Sequence, residues 1–367
     1  MARACGREVG RESLLGSVGD ISQVCGIQSF CFDDGPGKGV RGLEFRTGGG
    51  LRFVALPDRA MDLYCAEYRG IPLNWMSGTG PVAPGLYSSH GWEWLRSFFG
   101  GLLTTCGLSN VGDPCDDRGA YLETEHFGGH GRISNLPARG VGYRGEWQGE
   151  RYILSAEGET VETAGQGEKL HLRRRIRTEM GASSLQVTDH VTNEAFVPAP
   201  FMFLYHINLG YPLLDQGARI LASCRSATGL DPASQSALSR LGDIHPPAAD
   251  APELVFMLDM NPDTEGYCHI VLSNPTIDAG RGLGLFLRYR RSDFPYFNLW
   301  KRLTRREYVI GWEPGICTVQ GRVRQRERGD LRLLAAQETA RFEMEIGVLD
   351  SSEAVARFAS AHGLEPL

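Results

Sequence analysis

Three ionisable side chains stand inside otherwise apolar, strand-like sequence. His206 interrupts FMFLYHINL (201–209), Glu313 comes near the end of YVIGWEPG (308–315), and His130 opens HGRISNLPA (130–138). Singly, each has a plain explanation: a strand histidine is usually a satisfied core or surface residue, and a glutamate before proline a solvated strand end. Together they suggest chemistry. An imidazole and a carboxylate, each pushed by apolar neighbours toward a pKa nearer neutrality, are what proton transfer at pH 7 requires.

Other chemistries find little support. GTGPVAPG (78–85) lacks the strand-to-helix context and third glycine of a dinucleotide loop, and the sequence has no GxSxG or Walker motif. His126 and His130 are four apart, but HFGGH puts two glycines between them, which argues against a helical zinc face. No metal ligand set is expected.

The elements that must position these residues are strands. Eleven segments are short, alternating or β-branched, and bounded by turn residues: 50–57, 151–162, 169–180, 184–193, 201–209, 218–224, 267–274, 283–291, 306–314, 318–326 and 341–350. Forty-seven glycines and nineteen prolines, without any low-complexity tract, fit many tight turns. The expected class is all-β, a large antiparallel β-sandwich with a few short helices. Helices are expected only in SSHGWEWLRSFFGG (88–101) and SSEAVARFASAHG (351–363), the second with a serine N-cap and Gly363 as its stop. With no clean linker, residues 1–367 are expected to form one domain, and the Pro-rich stretch 231–253 an excursion shaping the mouth of a site.

Composition narrows the partners. A net charge of −6 argues against nucleic acid and anionic membranes. The basic runs HLRRRIRTE (171–179) and RVRQRERGDLR (322–332) read as solvated strand faces. Nine scattered cysteines with no CxxC, no apolar leader and no apolar run of membrane-spanning length point to the cytoplasm.

The segment HVTNEAFVPAPFMFLYHINLGYPLL (190–214) resembles aldose 1-epimerases, the galactose mutarotases, in which a "TN" turn and a proline precede His-x-x-Asn-Leu-type sequence. YVIGWEPG is similar to their later Glu-Pro strand, and HGRISNLPA to their upstream His-Gly element. LPDRAMDLYCAEYRGIPLNW (56–75) and FFGGLLTTCGLSNVG (98–112) resemble an uncharacterised bacterial branch of that family, and FNLWKRLTRREYVIGWEP (297–314) is similar to hexose-phosphate 1-epimerases.

The resemblance implies a galactose mutarotase-like supersandwich that interconverts sugar anomers by acid/base ring opening, with no cofactor. It implies Glu313 as base, His206 as acid, and His130 as a substrate contact. The family's sugar-contacting arginine after "FG" is absent; Thr104, Thr105 and Asn110 stand there instead.

Around the pair, Trp300 is placed to stack on a sugar face and Lys301 to donate to hydroxyls. Asn208, two residues from His206 on a strand, is expected to share its face and help fix the imidazole. Arg59 is kept as a candidate binder, although an ion pair with Asp62 is its simpler reading. His206 is expected to rest protonated, with Glu313 about 5–8 Å away across a cleft. The expected partner is a small-molecule sugar, and a homodimer stays open. Two alternatives remain: a non-catalytic carbohydrate-binding sandwich, and a sugar isomerase or epimerase acting at a carbon-bound proton.

Overall fold

The computed structural model describes residues 2–119 and 122–367. Two large antiparallel sheets face each other. One has nine strands in the spatial order 139–148, 151–163, 169–179, 184–193, 339–349, 283–290, 267–274, 219–222 and 365–366. The other has six, numbered here in chain order: β1 (Thr104–Leu108), β2 (Met202–Leu209), β3 (Cys224–Gly229), β4 (Leu254–Met260), β5 (Tyr296–Leu303) and β6 (Tyr308–Gly315). Their spatial order is β3-β4-β5-β6-β2-β1. A five-stranded meander, 26–31 to 71–72, leads into the sandwich. No helix among the described residues is long and apolar enough to cross a membrane.

Period-two alternation assigns β2 its two roles. Phe203 and Tyr205 point toward the nine-stranded sheet, where Phe203 packs on Phe342 at a centroid distance of 4.7 Å and the Tyr205 hydroxyl donates to Asp189 at 2.7 Å. His206 and Asn208 therefore face the other way.

Between the sheets lies a buried ionic network. Arg174, inward-facing on strand 169–179 between Leu172 and Ile176, is 1% exposed and reaches Asp62 at 2.7 Å and Asp189 at 2.6 Å. It also donates to the Thr105 hydroxyl on β1 at 2.8 Å. This corrects two expectations. The 171–179 arginines are not all solvated, since Arg174 shares the inward face with its apolar neighbours; and Asp62 pairs with Arg174, not Arg59.

Two further expectations fail. The 318–326 segment is not a strand: Gly321–Glu327 is a helix that buries Arg322 and Gln325. The Arg322 guanidinium lies over the Phe127 ring and pairs with Asp117. Segment 88–101 yields only a 3-10 turn, Glu93–Arg96. The C-terminal helix, Ser352–His362, forms as expected, with Ser351 accepting from the Ala354 N–H and Gly363 at φ 60°.

Candidate active site

One row of side chains runs across the six-stranded sheet. Thr104 on β1 opposes His206 on β2, Glu313 on β6 opposes Asn298 on β5, and Asn298 opposes Met257 on β4. The β2–β6 register pairs Ile207 with Trp312 and Asn208 with Gly311, which makes His206 and Glu313 direct cross-strand neighbours. His206 Nε2 lies 3.2 Å from Glu313 Oε1. The expected 5–8 Å separation (about, from the reach of two proton-transfer groups) is thus replaced by direct contact, because adjacent strands bring opposed side chains together.

The pair is buried, His206 being 4% exposed and Glu313 2%. Its cover is aromatic. Phe98 lies 5.2 Å from the His206 ring, Trp300 5.3 Å and His130 5.8 Å, and Trp94 packs on His130 at 4.6 Å. On its outer side the segment carrying Trp94 lines a cavity of about 920 Å³ with Thr79, Leu86, Trp92 and Arg96. Trp92 touches both regions, since its ring also meets His130 at 5.7 Å.

His130 is held in the left-handed region, φ 55°, uncommon for a residue with a Cβ. Its backbone N–H donates to Gly112 and its carbonyl accepts from Gly107, which fixes the loop against β1.

Burial drives the His206 imidazole down to about 3, with nearby His130 adding to the effect. It drives His130 down to about 4. Glu313 is pushed well above the usual carboxylate range by burial and then by the Glu253 charge. Both members of the pair thus favour their uncharged forms, because an ion pair here would forfeit hydration that the aromatic walls do not replace. Burial therefore works against the protonated resting His206 that was expected.

Five polar atoms around this row have no hydrogen-bond partner among the described residues: His206 Nδ1, Glu313 Oε2, His130 Nδ1, Asn208 Oδ1 and Asn298 Oδ1. Buried polar atoms are seldom left unpaired, so such a concentration marks a place for a polar ligand.

The remaining candidates divide. Trp300 adjoins the pair, its indole N–H donating to Glu253 at 2.6 Å. Asn208 shares the His206 face: its amide donates to the carbonyls of Gly100, Gly101 and His206, and its side chain also acts on the imidazole, partly opposing the effect of burial. Lys301 is one residue from Trp300 and so points to the opposite face. Its ammonium donates to the Arg240, Leu241 and Asp243 carbonyls, anchoring the 231–253 excursion. Arg59 fans its guanidinium onto the Ser134, Val82 and Ser97 carbonyls. Asn110 donates to Asp113 and Gly128 and accepts from the Arg322 N–H, which shapes the loop leading to His130. The donors of Lys301, Arg59 and Asn110 are committed to backbone, which removes them from the sugar-binding roles expected of them.

Sequence reading overlooked Asn298 and Gly311. Asn298 was detectable, standing two residues before Trp300 on one strand. Gly311 is a matter of space: a Cβ there would lie 3.0 Å from the Trp300 ring, 3.1 Å from Glu313 Oε1 and 3.1 Å from His206 Cε1. Gly311→Ala is expected to leave folding intact while lowering turnover by about tenfold or more, since displacing reacting groups by a fraction of an ångström is costly. Wild-type turnover in a well-folded Gly311→Ala protein would contradict this.

A family described as a domain of unknown function, DUF4432, matches residues 37–348. The chain belongs to the DUF4432 family. No functionally curated protein matches it. Among solved structures, this DUF4432 protein is similar to a provisionally assigned aldose 1-epimerase from Klebsiella pneumoniae, at 25% identity and a TM-score of 0.85, over 92% of this chain and 87% of that one. It also shares its fold with a galactose mutarotase-like protein from Clostridium acetobutylicum, at 12% identity and a TM-score of 0.59, over 88% and 98% of the two chains. The galactose 1-epimerase from Lactobacillus acidophilus aligns at 13% identity and a TM-score of 0.56, over 89% and 99%. The galactose mutarotase-like sandwich expected from the sequence is therefore the fold of this DUF4432 protein.

Proposed function

We propose that this protein is a sugar mutarotase of the aldose 1-epimerase type, with His206 and Glu313 as its proton-transfer pair. The observation that carries this reading is the direct, buried His206–Glu313 contact surrounded by unpartnered polar atoms. A cyclic sugar offers hydroxyls to those atoms and an apolar ring face to Trp300.

Ring opening moves two protons and breaks one C–O bond. Glu313 as carboxylate takes the proton of the anomeric hydroxyl, the C1–O5 bond cleaves as the C1 carbonyl forms, and the imidazolium of His206 protonates the ring oxygen. The pair is then neutral, the form that burial favours. Rotation about C1–C2 and the reverse transfers give the other anomer. Starting from the resting enzyme, the ionic form needs only a proton shift across the 3.2 Å contact. Sugar hydroxyls bonded to Glu313 Oε2 and His206 Nδ1 stabilise the charges that the empty aromatic site disfavours.

Saturation-transfer NMR across a panel of neutral, phosphorylated and acidic sugars tests this directly. Accelerated anomer exchange in D₂O without carbon-bound deuterium supports the mutarotase. Deuterium at carbon would indicate an aldose–ketose isomerase or C2/C3 epimerase, and neither signal a binding sandwich.

The pair also predicts a pH profile. With the folded His206 pKa near 3, below its ordinary 6.5, the pair takes up a second proton only at strongly acid pH. With Glu313 raised, it loses its shared proton only above the usual carboxylate range. The plot of kcat/KM against pH, which reports the free enzyme, is therefore expected to show no acid limb centred near 6.5. An acid limb centred there would show that His206 rests as an ordinary, solvated imidazole.

A further inference from the structure

A second cluster, made of residues outside the His206–Glu313 row, joins the C-terminal helix to the nine-stranded sheet. Asp263 lies in the turn before strand 267–274, His269 on that strand, and His362 in the last turn of helix Ser352–His362. The Asp263 carboxylate is aimed by its own backbone. Its Oδ1 accepts from the Glu265 and Tyr267 N–H groups, both at 2.9 Å, and Oδ2 faces the two imidazoles. His269 Nε2 is 2.9 Å from that oxygen and His362 Nδ1 is 4.0 Å from it. The three ligand atoms lie within 4.8 Å of one another.

We propose that Asp263, His269 and His362 form a binding site for a divalent transition-metal ion, best matched by zinc. Two imidazole nitrogens and one carboxylate oxygen suit zinc, whereas calcium and magnesium prefer all-oxygen sets. At zinc–ligand distances of about 2.0–2.2 Å, tetrahedral ligand atoms stand roughly 3.3 Å apart. The Asp263–His269 spacing is close to that already. His362 supplies the adjustment. Its ring stacks on His269 with centroids 3.8 Å apart, too close for both nitrogens to converge on one point, so it must swing outward. At a helix end and 28% exposed, it has room to do so, while His269 at 3% does not. Three protein ligands leave a fourth position for water, and the bound ion would clamp the helix to the sheet.

A comparison within the molecule sharpens the assignment. Glu159, His171 and Glu194 also cluster, but His171 meets Glu159 through Nδ1 and Glu194 through Nε2, each at 3.1 Å. Opposite ring nitrogens cannot serve one ion, so that group is a pair of ionic contacts and makes a suitable control.

The test is calorimetric titration of chelator-treated, full-length protein with zinc chloride, with bound metal counted by mass spectrometry after gel filtration. One ion per chain is expected, with affinity falling at least about tenfold in His362→Ala and in Asp263→Asn, as loss of a ligand implies, and unchanged in His171→Ala. Asp263→Asn keeps the shape of the turn should His362→Ala disturb the helix. The site is overturned by the absence of stoichiometric uptake, or by uptake that neither His362→Ala nor Asp263→Asn weakens.

Discussion

Glu313→Gln is expected to lower turnover by about 10²-fold or more while leaving KM near its wild-type value. The amide keeps the shape of the side chain and its place opposite His206, so the sugar still binds, but it is not basic and cannot take up the anomeric proton. Folding should survive the change, because burial already favours the neutral carboxyl, holding its pKa well above the usual range. Removing an ionisable group from so dry a site is expected, if anything, to raise the thermal midpoint. His206→Asn should lose turnover in the same way, whereas His130→Ala should mainly raise KM, since His130 touches the pair through ring packing and has only one unpartnered nitrogen to offer. Saturation-transfer NMR on the best substrate reads all three variants. Anomer exchange at the wild-type rate in Glu313→Gln would remove the pair from the mechanism and return His206 to the role of a core histidine.

Arg174→Met is expected to destabilise the protein by about 3–5 kcal/mol, because it leaves two buried carboxylates without their cation. Asp62 and Asp189 are both fully buried, and Arg174 contacts them at 2.7 and 2.6 Å. Methionine fills most of the volume, so lost packing is a small part of the effect. Denaturant unfolding measures it, and a charge rescue identifies the cause: adding Asp62→Asn and Asp189→Asn to Arg174→Met should recover part of the loss, since amides can be buried at lower cost than unpaired carboxylates. If Arg174→Met unfolds at the wild-type midpoint, the network contributes nothing to stability. The network also lies behind the site. Thr105 and Tyr205, which bond to it, immediately follow Thr104 and precede His206 on β1 and β2, so a loosened core would reach the His206–Glu313 row through those strands.

Local sequence was sufficient to determine the all-β class, seven of the nine strands of the larger sheet, β2 and β6 of the six-stranded one and the C-terminal helix, because alternation, turn residues and caps act over a few residues. It also singled out His206, Glu313 and His130, since ionisable groups in apolar strands are conspicuous. Arg174 and Asn298 were within its reach: Arg174 shares a period-two face with the apolar Leu172 and Ile176, and Asn298 one with Trp300, which the sequence had singled out. Only the tertiary structure decided the rest. Whether 318–326 becomes strand or helix depends on the burial of Arg322 and Gln325, which its local pattern does not encode. The fates of Arg59, Asn110 and Lys301 depend on carbonyls presented by segments up to 75 residues away in the chain. The contact between His206 and Glu313 depends on which strands lie side by side and in what register. That pairing unites residues 107 positions apart, whose sum of 519 matches every β2–β6 partner pair, and it alone brings two separate side chains into direct contact.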